Sequence, residues 1–274
     1  MILALSRGIY YAATMILFGD AAFGVLLRAK LPMIMPLHIW ALRWAALLAA
    51  LLAAVLWLGL AAAQMADTLN GEVLAETVTA TLFGQLFLVR LAALLGLASL
   101  LLFWRRGKLM MVLAAIALVL PSATSHAALA SPAGFAAIGT LLDAVHLLTA
   151  GFWIGGLVVL AALFRRKEPN LVLALSLFSD WAMIAVLLLV MTGLIDAASI
   201  LLGSKGTPSI LYLSVLAAKL ALVAVMLSLA ASNRFKWLPK GQQGVIARNT
   251  VRELAAGIIV VLLAGGLGQL QPLL

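Results

Sequence analysis

Two of the three histidines in the chain, His126 and His146, fall within the stretch SHAALASPAGFAAIGTLLDAVHLLTAGFWIGG (125–156). Asp143 stands three residues before the second of them. On a helix, residues three apart share one face. A carboxylate placed there can fix the imidazole tautomer or ligate a metal ion itself. Two imidazoles with one carboxylate suit copper or a borderline divalent ion, whereas magnesium and calcium prefer oxygen donors. The same residues also fit a hydrogen-bonded packing histidine and an aspartate paired with Arg90 or Lys219. At about 1.5 Å per residue His146 lies roughly 12–15 Å along its helix, while His126 sits near a helix end. They form either one site or two successive stations.

A second group combines Met33, Met35 and His38 in LPMIMPLHIW (31–40). Thioethers with an imidazole are what soft Cu(I) accepts, so these three are a candidate exit site. They fit equally an interfacial loop whose methionines touch lipid. Met191, with Met183 and Met226, either extends a thioether path or packs.

The surroundings of these residues set the fold class. The chain has 274 residues, of which 66% are hydrophobic and 10% charged. A soluble domain of that balance cannot cover its surface with polar groups. Apolar runs of about 20 residues match the thickness of a bilayer core, and they do not alternate as barrel strands do. An all-α, polytopic membrane helix bundle is therefore predicted, a single transmembrane domain over 1–274. Its eight or so spans lie near 6–27, 39–63, 83–103, 109–127, 136–163, 171–198, 210–232 and 252–271. The first segment lacks the pattern of a cleaved leader and reads as a retained span. The absence of cysteine excludes disulfides and thiolate metal sites.

Arginine and lysine set the expected orientation. Arg28 and Lys30, WRRGK (104–108), FRRK (164–167) and the basic stretch 233–252 occupy one set of connections. The other set holds little positive charge beyond Lys205, and its longest member, 64–77, carries Asp67, Glu72 and Glu76. By the positive-inside rule the basic loops are cytoplasmic and both termini face the periplasm. The net charge of +9 is thus a topology signal rather than a nucleic-acid footprint. The acidic connection reads equally as a solvated loop or a short interfacial helix. Gly151 and Gly155 suit close helix contact.

Ionisable residues within spans are costly and face the bundle interior or water. Here they are Asp20, Arg90, Asp143, His146, Asp180, Asp196 and Lys219, with Arg43 near an inner edge. Arg90, Asp143, His146, Asp196 and Lys219 all fall in the outer half, which predicts a polar vestibule open to the outside. Arg90, Lys219 and Asp196 are expected as its supporting charges.

With these residues in view, the chain resembles the bacterial copper resistance D membrane proteins. The longest likeness is 178–238, with FS at 178–179, TG at 192–193, Thr207 to Lys219, and NRF at 233–235. SHAA (125–128), D..HLLTAGFWIGGL (143–157) and RELAAGIIVVLLAGGLG (252–268) also resemble the family. Residues 171–274 match its core best. PSILYL (208–213) departs from it, lacking the aromatic-glycine pair common before the lysine of the seventh span. The resemblance implies an inner-membrane protein that moves copper, as Cu(I) or Cu(II), from periplasm to cytoplasm. It implies copper at His126 and His146 with Asp143 in support, and a small periplasmic partner of the copper resistance C type.

No phosphate-cradling glycine loop is present, so no nucleotide-driven step and no enzymatic role is expected. Two other functions remain open at this point. One is a membrane electron carrier with haem between two histidines; the other is a copper-binding docking or sensing subunit that transports nothing.

Overall fold

The computed structural model describes residues 1–27, 39–104, 107–124, 136–202 and 209–270. Nine α-helices run through them: α1 Ile2–Leu26, α2 Ile39–Ala66, α3 Gly71–Ala80, α4 Leu82–Ser99, α5 Gly107–Val119, α6 Ala136–Arg166, α7 Leu171–Leu202, α8 Ile210–Ser232 and α9 Gln243–Leu267. Single π-helical turns extend α4 over Leu100–Trp104 and α8 over Asn233–Trp237, and a 3₁₀ turn extends α5 over Leu120–Thr124. All but α3 are long and apolar enough to cross a membrane, which makes eight candidate spans among the described residues. An all-helical bundle follows from the solvent, because lipid leaves backbone amides no partner except their own helix.

The acidic connection does contain a helix, α3. Asn70 caps it by accepting from the Val73 amide at 2.8 Å. The largest departure from the hydropathy reading is α9, which starts at Gln243, nine residues before the expected 252. Its first turns bury Ile246, Asn249, Thr250 and Glu253, spaced as one helical face, while Arg248 and Arg252 stay exposed. Here the buried face is the polar one, so an apolarity count does not register it.

The first helix is the hub. It packs against α2, α5, α6 and α9. One apolar core joins α1 to α2, α4 and α5; a second joins the other end of α1 to α6, α7 and α9. The α1–α6 crossing depends on absent side chains. A Cβ on Gly155 would lie 2.6 Å from the Met15 carbonyl oxygen and from the Gly19 Cα, and one on Gly19 would lie 2.5 Å from the Gly155 Cα. Gly155 thus serves the expected close contact, which in lipid rests on van der Waals packing.

Two charged links tie helices together at the end carrying the basic connections. Asp20 of α1 accepts from both Arg43 Nε (2.5 Å) and Nη2 (3.2 Å) of α2. Arg234 donates to Ser179 Oγ at 2.7 Å and to Asp180 Oδ1 at 3.0 Å, joining the end of α8 to α7. Asp20 and Asp180, single intramembrane charges in the sequence, each have an arginine partner.

Candidate functional site

His146 projects from α6 toward α7. Its Nδ1 lies 3.0 Å from Thr192 Oγ1, and a Cβ on Gly193 would fall 3.0 Å from its Cε1. The Thr192 hydroxyl donates back to the Leu188 carbonyl at 2.8 Å. With its only proton engaged there, Thr192 can only accept from the ring. Nδ1 is then the ring's donor, and the ring also hydrogen-bonds the backbone of Leu189. The TG pair at 192–193 thereby gains a physical meaning: threonine sets the tautomer and glycine leaves room for the ring.

Lys219 links this imidazole electrostatically to two carboxyl groups. Asp143 of α6 and Asp196 of α7 share a side-chain hydrogen bond, and Lys219 of α8 acts electrostatically on both and on His146. One lysine thus stands against two carboxyl groups, one of which must carry a proton to make that hydrogen bond. Asp143 also reaches Tyr11 of α1 through its field, and Tyr11 hydrogen-bonds Arg7. The predicted companions Asp143, His146, Asp196 and Lys219 are therefore brought together from three helices.

Arg90 is placed differently. It is 2% exposed and makes no ion pair with a described residue. Its guanidinium faces the rings of Trp57 (4.9 Å), Phe83 (5.4 Å), Tyr10 (5.7 Å) and Phe87 (5.7 Å). Arg7 approaches Trp57 at 5.1 Å. Ring quadrupoles balance this charge where a carboxylate was expected. Tyr10 is pinned in turn by donating to the Ala117 carbonyl at 2.6 Å.

His126, Met33, Met35 and His38 lie outside the described residues. Met191 is 52% exposed on α7. Among the described residues no three histidine, aspartate or glutamate side chains cluster closely enough to hold a metal ion.

One buried acid was missed in the sequence. Glu253 of α9 is 2% exposed, and its Oε1 accepts from Trp153 Nε1 of α6 at 2.8 Å. It sits at the edge of the eighth apolar run, where hydropathy does not separate it from the basic loop. The spacing of Ile246, Asn249, Thr250 and Glu253 is the signal that finds it.

These features define a polytopic helical membrane protein with a polar cluster inside the bundle. Residues 1–136 match the family described as the N-terminal domain of copper resistance protein D-like proteins, and residues 172–267 match copper resistance protein D. Copper resistance protein D of Pseudomonas syringae pv. tomato is 30% identical over 224 residues, covering 71% of this chain and 70% of that one. Copper transport protein CutJ of Bacillus subtilis (strain 168) is 31% identical over 146 residues, 52% of this chain. The aligned part is 26% of that protein's length. No solved structure matches. The chain belongs to the copper resistance protein D family, a copper-related multi-pass protein of the bacterial inner membrane.

Proposed function

We propose that the protein carries copper across the bacterial cytoplasmic membrane from the periplasmic side inward, and that His146 Nε2 is a ligand on the way. The observation that carries this reading is the Thr192 contact at Nδ1, which leaves Nε2 for a metal, with Asp143 on the same helix face. Asp143 supports or ligates, Asp196 and Lys219 set the charge, and His126 completes the outer site from the adjoining 125–135 connection. Met33, Met35 and His38 serve as the exit. Cu(I) and Cu(II) both suit such a route, imidazole and carboxylate accepting the oxidised ion and thioethers the reduced one. A small periplasmic copper-binding protein of the copper resistance C type hands the ion over.

The test is copper stoichiometry of the purified protein together with copper uptake into vesicles. His146→Ala is expected to lose bound copper and uptake; unchanged values in both assays would remove the site. Thr192→Val keeps the ligand and its shape but frees the ring to take the wrong tautomer. Loss of such an orienting partner typically weakens metal affinity roughly 10–100-fold. Competition against a copper chelator would read this out, and wild-type affinity in Thr192→Val would refute the tautomer argument.

A further inference from the structure

Helices α6, α7, α8 and α9 leave a cleft of about 190 Å³ at the end carrying the basic connections. Most of its wall is apolar, as in Leu157 and Phe178, and Ser179 and Arg234 also line it. Glu253 and Thr250 line it too, each only 2% exposed. They are three residues apart on α9 and so share a face. Glu253 has one hydrogen-bond donor, the neutral Trp153 indole, and no described lysine, arginine or histidine pairs with it. Thr250 makes no hydrogen bond to a described residue. Arg234, the one charged side chain besides Glu253 among the described residues lining the cleft, is engaged by Ser179 and Asp180.

A carboxylate taken out of water needs a counter-charge, and a buried hydroxyl needs a partner. The Thr250 hydroxyl and the second Glu253 oxygen are bonded to no described residue and open onto the same cleft, where an incoming ion can reach both. We propose that Glu253 and Thr250 form a binding site for a small hard monovalent cation, H⁺ or Na⁺, which enters through this cleft. Oxygen donors alone favour such an ion over copper, for which the site offers no imidazole. Trp153 holds one carboxylate oxygen and leaves the other to the ion. The site is distinct from the His146 cluster. By the positive-inside rule its mouth is cytoplasmic. A driving role for this ion in copper passage rests on the function proposed above; its binding does not.

The charged groups on the neighbouring elements are otherwise placed. On α6, Asp143 and His146 belong to the cluster with Lys219 of α8 and Asp196 of α7, and Asp180 of α7 holds Arg234. On α1, Asp20 is paired with Arg43 and Arg7 donates to the Gly268 carbonyl at 2.7 Å. Lys236, in the turn after α8, lies 4.6 Å from the centre of the Trp237 ring, and Lys240 lies 6.0 Å from it. Arg248 and Arg252 of α9 and Arg165 of α6 are exposed, and Arg166 at the end of α6 is already engaged.

The Trp153 indole reports the site directly because it is bonded to Glu253. Its emission is isolated as the difference between the wild-type protein and Trp153→Phe in detergent, without copper. One arm replaces choline by Na⁺ at fixed pH; the other varies pH in choline alone. The difference spectrum is expected to shift in one arm, which names the ion, and the shift is expected to vanish in Glu253→Gln. If Na⁺ is the ion, Thr250→Val weakens the response about tenfold, the loss of one hydrogen-bond-strength contact. If H⁺ is the ion, Thr250→Val moves the midpoint of the pH response, and an unmoved midpoint removes Thr250 from the site. No shift in either arm, or an undiminished shift in folded Glu253→Gln, overturns the proposal. Should Glu253→Gln fail to fold, the wild-type arms alone still decide, since a silent Trp153 leaves no cation at its bonded partner. Copper uptake plays no part in this readout, so failure of the transport reading leaves it intact.

Discussion

Asp20→Leu is expected to destabilise the bundle by about 3 kcal/mol, and a second change, Arg43→Met, is expected to restore most of the loss. The aspartate side chain is 7% exposed and accepts both hydrogen bonds of a two-point contact with Arg43. Removing the acid leaves a guanidinium without its anion in an apolar setting, and breaking a buried pair in this way costs about 3–5 kcal/mol. The lower end applies here. Arg43 is 19% exposed and lies four residues, or about 6 Å, from the start of α2, so it can extend toward water. In the double variant neither charge remains to be solvated, and apolar replacement of a buried pair is often neutral. Reversible unfolding in mixed micelles measures the two single variants and the double. Single and double changes that simply add would show that the two side chains do not depend on one another.

Gly155→Leu is expected to come next in severity, at about 3 kcal/mol, the upper end of the usual range for overpacking. The obstacle is backbone: the Met15 carbonyl and the Gly19 Cα already stand where the first added carbon would go. No rotamer change moves those atoms, so α1 and α6 must separate along the crossing. Because α6 also carries Asp143 and His146, the separation is expected to lower copper binding together with unfolding temperature. Gly24→Leu is the control, since a Cβ there meets nothing within 4 Å. Equal behaviour of the two variants would show that the close approach is not what holds α1 to α6.

The spans were legible because lipid imposes a simple rule on hydropathy, and seven of the eight begin within a few residues of expectation. The eighth did not obey that rule. Its opening residues point Asn249, Thr250 and Glu253 inward and Arg248 and Arg252 outward, so the buried face carries polar groups. Shared depth groups Asp143, His146, Asp196 and Lys219 in the sequence, but it groups Arg90 with them too, and Arg90 packs among aromatic rings instead. The partner of His146 was not readable, because threonine is abundant in such helices and only the fold puts Thr192 beside the ring. Arg90 was assigned a carboxylate partner because charge suggests charge; aromatic rings on other helices, Trp57 of α2 and Tyr10 of α1, leave no such mark in sequence.

The hub position of α1 sets an order for biosynthesis. Emerging before α2, it must wait in the bilayer with Asp20 uncovered until Arg43 follows, a short delay, since only one connection separates them. Its contact with α9 closes only after α2 to α8 have been made, and the Arg7 bond to the Gly268 carbonyl ties that junction. A nascent chain stalled before α9 would therefore leave that flank of α1 facing lipid.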